Sequence, residues 1–355
     1  MRGANGARER WTTAAIGCAA HVLRGHGQVM LLGHAAAGAV FVAALFAAGW
    51  EFGTYALAGA AVGTATARLL GVARDRVESG AEGFNSCLFA LCCAVLLGPA
   101  RVSTALLACL GAVLVTVVTA AVTRLLRGWE LPALTLPYCL LATATTLAAP
   151  AFTHVRPSAH GPAALPRAAA GADAPTAAEL TRGFLGNVAQ VFFLDGWLTG
   201  ALLLAGVFLA SRTAGLAACA GSATAVATAW ALGAPAQRIA DGSLGCNAVL
   251  VALALCGVFL RAGKAAVPYA VSGAVTATLV TPALEAFLAP SGGHALTWPF
   301  VLTTLTFLAA SRSFPRLARL RHPVPEGDTA AAAGEAPPTG HPPAALSTPP
   351  GTAAA

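Results

Sequence analysis

Charge is scarce in this chain. Asp, Glu, Lys and Arg make up 10% of its 355 residues, where a soluble domain carries roughly 25%. With 57% hydrophobic residues, too little polar surface is left to cover a water-exposed fold, which excludes an ordinary soluble protein. Three Tyr and six Trp supply only a thin aromatic belt at membrane–water interfaces. No Cys-x-x-Cys pair occurs among the nine cysteines, so they read as small buried hydrophobes rather than metal ligands or a disulfide framework. The sequence holds no nucleophile triad, cofactor loop or metal cluster. That argues against an enzyme and leaves no catalytic residue, metal ligand or cofactor to assign.

Acids are missing where a coupled transporter would need them. Glu51, Asp75, Glu78, Glu82, Glu130, Asp173, Glu179, Asp195 and Asp241 fall in loops or at the edges of apolar stretches, and Glu285 lies near the end of one. Proton- or sodium-coupled transport needs an ionisable group within the membrane, which is expensive to keep there. Its absence favours passive conduction of a neutral solute. An ion pore fits poorly as well, because there is no ring of charge and no TVGYG-like carbonyl filter.

What the chain does contain is one unit written twice. Residues 22–150 and 182–312 align without a gap at a constant offset of 162. Gln28 falls on Gln190, Gly38 on Gly200, Asn85 on Asn247, Leu88 on Leu250, Thr135 on Thr297 and Pro137 on Pro299. A duplicated apolar unit that repeats its polar residues is the signature of a transport protein with a pathway between two halves.

Ten apolar stretches can be drawn, at 35–49, 53–72, 84–98, 102–123, 131–150, 197–211, 214–233, 245–260, 266–288 and 296–311. Several fall short of the ~20 residues that cross a bilayer core. Each copy also opens on a short piece, Val22–His34 and Phe184–Gly196, read as a re-entrant half-helix; the third stretch of each half competes for that role. Five crossings per copy is an odd number, so the second copy is upside down relative to the first. With a cytoplasmic N-terminus, 16 of the 21 Lys and Arg fall on inner loops and tails and 5 outside, the bias of cytoplasmic loops. The net charge of +7 is thereby flank charge, with no nucleic-acid partner required. The expected organisation is a cytoplasmic tail over 1–21, a first half over 22–150, an external linker over 151–181, a second half over 182–312 and a disordered cytoplasmic tail over 313–355.

Three repeated motifs carry the polar chemistry. In Leu131-Pro132-Ala133-Leu134-Thr135-Leu136-Pro137-Tyr138, a helical Pro137 would leave the carbonyl of Ala133 unbonded, and Pro299 would do the same to Ala295 beside Thr297. Such carbonyls are tolerated at membrane depth only when buried in protein or lining a polar cavity. Two of them, each next to a Thr hydroxyl, would meet near the bilayer centre. Gln28 and Gln190 form the second pair; His26, beside the first, reads as a packed or backbone-bonded core residue. Asn85 and Asn247 form the third and would brace helix breaks. Phe84 and Leu88, one helical turn apart, would present a flat apolar wall.

Together these motifs resemble the urea transporter family over 22–150 and 182–312. The resemblance rests on Leu-Pro-x-x-Thr-x-Pro-aromatic at 131–138, Ala295-Leu296-Thr297-Trp298-Pro299-Phe300, Gly-Gln-Val at 27–29, Gly-Phe-Asn at 83–85 and Asp195-Gly196-Trp197-Leu198-Thr199-Gly200. It implies an all-α integral membrane protein of two inverted five-helix halves, about ten transmembrane helices plus two re-entrant ones. It further implies a homotrimer with one pore per protomer, in the cell (plasma or inner) membrane with both termini cytoplasmic. Urea is flat and uncharged, with one carbonyl acceptor and two NH2 groups. Gln28, Gln190, Thr135 and Thr297 would be its edge hydrogen-bonders, and Phe84, Leu88, Leu250 and Phe193 the walls of the slot. Asn85, Asn247, Pro137 and Pro299 would be structural at the pore.

The chain departs from the family pattern at Cys246, where an aromatic is usual. It also has Leu31 three residues after Gln28 where Phe193 follows Gln190, and Gly33-His34-Ala35 where Asn-Asn-Pro is common. Passive urea conduction is the leading expectation. A channel for ammonia, water or short amides is the second, and a gradient-coupled transporter using Glu285 the third.

Overall fold

The computed structural model describes residues 2–155, 174–317 and 320, with side chains from Ile16 onward. The middle of the expected linker and nearly all of the expected C-terminal tail lie outside the described residues. Every element among the described residues is helical. The first half holds α1 (Arg2–Val29), α2 (Ala35–Ala48), α3 (Trp50–Leu69), α4 (Arg74–Glu78), α5 (Phe84–Leu97), α6 (Val102–Arg127) and α7 (Leu136–Ala148). The second holds α8 (Ala177–Ala189), α9 (Trp197–Ala210), α10 (Arg212–Ala231), α11 (Ala236–Ala240), α12 (Cys246–Leu253), α13 (Ala266–Leu288) and α14 (Trp298–Ala310). Helices α2, α3, α4, α5 and α7 begin 162 residues before α9, α10, α11, α12 and α14. The sequence repeat is thus a repeat of helix starts.

The starts repeat because the stop and cap signals do. Helices α3 and α10 both end on a left-handed glycine, Gly71 at φ 77° and Gly233 at φ 73°. The amide three residues past each helix end reaches back, Val72 to the Ala67 carbonyl at 3.0 Å and Ala234 to Ala229 at 2.9 Å, which is the Schellman closure that glycine permits. Helix α8 begins at Ala177, inside the stretch read as linker. There the Thr176 hydroxyl accepts from the Glu179 amide, and the Glu179 carboxylate accepts from the Thr176 amide at 2.7 Å. Hydrogen bonds donated by the Thr176 amide and hydroxyl hold the Glu179 carboxyl below its ordinary range. Helix α1, in turn, runs back through the stretch read as an N-terminal tail.

Each of the ten apolar stretches falls on a helix, but the helices differ in length. Helices α6, α10 and α13 are long and apolar enough to cross a membrane, and α8 and α9 form a pair bent by 72° at a short break. Helices α2 and α5 have 14 residues, and α7 and α14 have 13. Fourteen residues reach about 21 Å, short of a hydrocarbon core of about 30 Å.

Environment follows pattern. Helix α6 buries Thr104, Ala108, Gly111, Ala112 and Val115 while exposing Val102, Leu106, Leu110 and Val117. Its outward face is therefore as apolar as its inward face, which suits lipid rather than water. Helix α5 is buried almost all round, as a helix apolar on every side should be. The halves meet through α2 and α9, where Gly206 leaves room for Phe41, and the Phe41 ring lies 5.6 Å from that of Phe192 in the turn before α9. They meet again at α7 and α14, where the Trp298 indole N–H donates to the Thr143 hydroxyl at 2.8 Å.

Candidate functional site

The repeated Leu-Thr-x-Pro stretches do not break the way a mid-helix proline would. Pro137 and Pro299 sit in the first turns of α7 and α14, where the missing N–H is one the helix does not use. The Ala133 carbonyl is not freed, since it accepts from the Leu136 amide at 3.1 Å; Ala295 likewise accepts from Trp298 at 3.1 Å. The break lies one residue later. Leu134 and Leu296 are left-handed, at φ 50° and 47°, a conformation that costs a branched residue on the order of 1 kcal/mol or more.

The Asn pair holds that turn in place. Asn85 Nδ2 donates to the Leu134 carbonyl at 3.2 Å, and Asn247 Nδ2 donates to the Leu296 carbonyl at 3.3 Å. Both Asn side chains are buried at the starts of α5 and α12. In the second half the Asn247 oxygen also accepts from the Phe300 amide at 3.2 Å, whereas the Asn85 oxygen has no partner among the described residues.

Once the left-handed leucine has turned the chain, the next residue is a threonine at the N-cap of each helix. Thr135 and Thr297 are buried, and their hydroxyl oxygens lie 2.8 Å apart across the 162-residue offset. Cys139, one turn into α7, places its sulfur 3.1 Å from the Thr297 hydroxyl. The N-termini of α7 and α14 therefore converge on one small polar cluster between the halves, and the positive ends of both helix dipoles face it. Replacing Thr297 with Val removes the 2.8 Å partner of Thr135 and the stronger partner of Cys139, leaving those two only each other, whereas replacing Thr135 leaves Thr297 bonded to the thiol. Thr297→Val is therefore expected to lower stability by about 1–3 kcal/mol and Thr135→Val by less, with the double variant costing less than the sum. Thermal unfolding of the four proteins in one detergent checks this order.

The glutamines are positioned by the same repeat without touching the threonines. Gln28 Nε2 donates to the Ser79 carbonyl at 3.1 Å; Gln190 Nε2 donates to the Asp241 carbonyl at 3.4 Å and to Asp195 Oδ1 at 2.8 Å. Ser79 and Asp241 are equivalent positions at the ends of α4 and α11. Each amide nitrogen is thus tied to protein, while neither amide oxygen accepts a bond among the described residues. Leu31 and Phe193 share a left-handed turn, at φ 60° and 57°, and both are partly buried against the core. Phe84 and Cys246 open α5 and α12 at matching places, both partly buried, with Leu88 and Leu250 fully buried one turn on.

Charges stay at the edges of this frame. Arg76 and Arg238 are equivalent, but they recruit acids from unrelated positions. Arg76 pairs with the buried Glu82 and Arg238 with Glu285, both at 2.5 Å. Glu285 is thus an ion-pair partner near a helix end. Near α4, the Arg74 guanidinium bonds Glu78 and holds that carboxyl below its usual range. His26 is buried with Nδ1 3.0 Å from the Val22 carbonyl, the backbone-bonded role expected of it.

Sequence reasoning missed Cys139, Ser79 and Asp241. Cys139 lies four residues after Thr135 on the same helical face, a usable signal. Ser79 and Asp241 act through their carbonyls, so comparing side chains between copies passes over them.

Residues 19–312 match the Urea transporter family. Among curated proteins, the chain is similar to "Urea transporter 1" of Ovis aries, 26% identical over 306 residues, covering 84% of this chain and 78% of the relative. It is likewise similar to "Urea transporter 1" of Rattus norvegicus, 27% identical over 303 residues with the same coverage.

Proposed function

The chain belongs to the urea transporter family, and from that premise we propose that it conducts urea passively, down its gradient, through a slot between its two halves. The observation that carries the reading is the Thr135–Thr297 contact of 2.8 Å between residues equivalent in the two copies. A pair of equivalent hydroxyls in contact lies on the axis that relates the halves, and a pathway formed between them passes that axis. Two helix N-termini there favour the partial negative charge of a carbonyl oxygen without holding an ion. The unbonded oxygens of Gln28 and Gln190 would accept from the NH2 groups on either side. Each bond replaces one lost to water, so the barrier falls while no single site binds tightly.

Phe84 and Phe193, with Leu88 and Leu250 behind them, would be the flat walls of the slot. Helices α5 and α12, short and buried, fit half-membrane helices better than full spans. On this reading the halves are inverted, ten helices cross the cell membrane, both termini are cytoplasmic and three copies assemble with one slot each. Asn85, Asn247, Pro137 and Pro299 shape the breaks rather than touch urea.

The test is urea flux into proteoliposomes with and without pH and sodium gradients. Flux is expected without either gradient and is expected to survive Glu285→Gln, because Glu285 serves Arg238. Flux that requires a gradient, or that vanishes in Glu285→Gln while the protein stays folded, would overturn passive conduction.

A further inference from the structure

The threonines at the centre differ from six other buried threonines of this protein in one respect. Thr64, Thr116, Thr119, Thr146, Thr278 and Thr281 each donate the hydroxyl hydrogen to the carbonyl four residues back, at 2.7–3.1 Å. Thr135 and Thr297 are N-caps with no helical turn behind them, so that acceptor does not exist. Their hydroxyl partners among the described residues are each other, at 2.8 Å, and Cys139 Sγ, which is 3.1 Å from Thr297 and also within reach of Thr135. The thiol breaks the repeat. Its equivalent in the second half is Val301, buried and unable to hydrogen-bond.

We propose that Cys139 is a positioning residue that lets the Thr135–Thr297 pair act alternately as donor and as acceptor. This rests on the reading that urea passes the pair. Of the orders open to these three groups, each with one hydrogen, two matter to a passing solute. In the first, the Cys139 S–H donates to Thr297, Thr297 donates to Thr135, and the Thr135 hydrogen is left for the carbonyl of a passing solute. In the second, Thr135 donates to Thr297, Thr297 donates to the Cys139 sulfur, and the Thr135 oxygen is left to accept from a solute N–H.

The sulfur is a weak donor and a weak acceptor, so it ends the row in either direction without fixing one. With an apolar residue at 139, one hydroxyl hydrogen of the pair must face the slot or stand unbonded. The centre then keeps its donor state, and accepts from a solute only by leaving a buried hydroxyl hydrogen unbonded. A solute with a carbonyl and two NH2 groups needs both as it moves through.

The experiment is urea and thiourea flux through proteoliposomes of the full chain carrying wild type, Cys139→Val or Cys139→Ser. Valine should lower urea flux about fivefold, the effect of one neutral hydrogen bond. It should lower the thiourea-to-urea ratio as well, because the thiocarbonyl is a poor acceptor for the donor that remains. Serine, able to end the row in either direction, should restore both. If the valine protein does not fold, Cys139→Ala gives the same comparison. Wild-type flux and ratio in the apolar variant would overturn the proposal. So would a serine variant as impaired as valine, which would mean that packing decides. Absence of urea flux in the unaltered protein would overturn the conduction reading itself, and the proposal with it, a result separate from any difference among variants.

Discussion

Replacing Gly38 or Gly200 with valine is expected to remove most of the folded protein, and alanine at either position to destabilise it by about 3 kcal/mol or more. A Cβ on Gly38 would stand 1.8 Å from the Leu23 carbonyl oxygen, and one on Gly200 would stand 2.0 Å from that of Leu185. Both obstacles are backbone, so no side-chain rotation relieves them. The two contacts are the same contact in each half, α1 against α2 and α8 against α9. Each such pair carries a glutamine at the end of its first helix, so separating the helices moves Gln28 or Gln190 along with the crossing. The measurement is the fraction of monodisperse protein after graded heating. Gly17→Ala serves as the control, because nothing lies within 4 Å of a Cβ there. Wild-type heat resistance in Gly38→Ala would show that the helices do not need this close approach.

Those glycines were legible in the sequence because glycine repeated at fixed spacing in an apolar chain has few other uses. The paired Gln, Asn and Thr were legible for a related reason: polar atoms in a membrane unit are costly enough that repeating them marks a place. The geometry between them was less so. Pro137 and Pro299 pointed to freed carbonyls at Ala133 and Ala295, but both prolines fall in first helical turns, and the bend belongs to Leu134 and Leu296. A left-handed leucine leaves no trace in composition, and the Asn side chain that bonds its carbonyl comes from a distant part of the sequence. Helix length was legible at α5, because polar and glycine residues before Phe84 and Gly98-Pro99 after Leu97 bound the stretch read at 84–98. It was hidden at α12, where apolar residues run on past Leu253 to Leu260 and hydropathy does not mark the helix end.

The strongest contrast between the halves is expected at the two asparagines. Asn247→Leu should lower stability by about 3–4 kcal/mol and Asn85→Leu by about 1–2 kcal/mol, from the number of buried groups each leaves unbonded. Asn247 serves the Leu296 carbonyl at 3.3 Å, the Thr281 hydroxyl at 3.4 Å and the Phe300 amide at 3.2 Å. Thr281 also bonds the Ala277 carbonyl, so it is not stranded; the Leu296 carbonyl and the Phe300 amide are. Among the described residues Asn85 serves the Leu134 carbonyl alone and its own buried oxygen is unpartnered, so leucine removes one unmet group as it creates another. Because Leu296 is joined to Thr297, loss of the Asn247 bonds also releases the turn that aims the Thr297 hydroxyl. Urea flux per folded protein should therefore fall further in Asn247→Leu than in Asn85→Leu. Thermal unfolding and flux measured on the same preparations test both statements. Equal losses in the two variants would mean that the asparagines act as packing, not as the hydrogen-bonded braces that hold the two turns open.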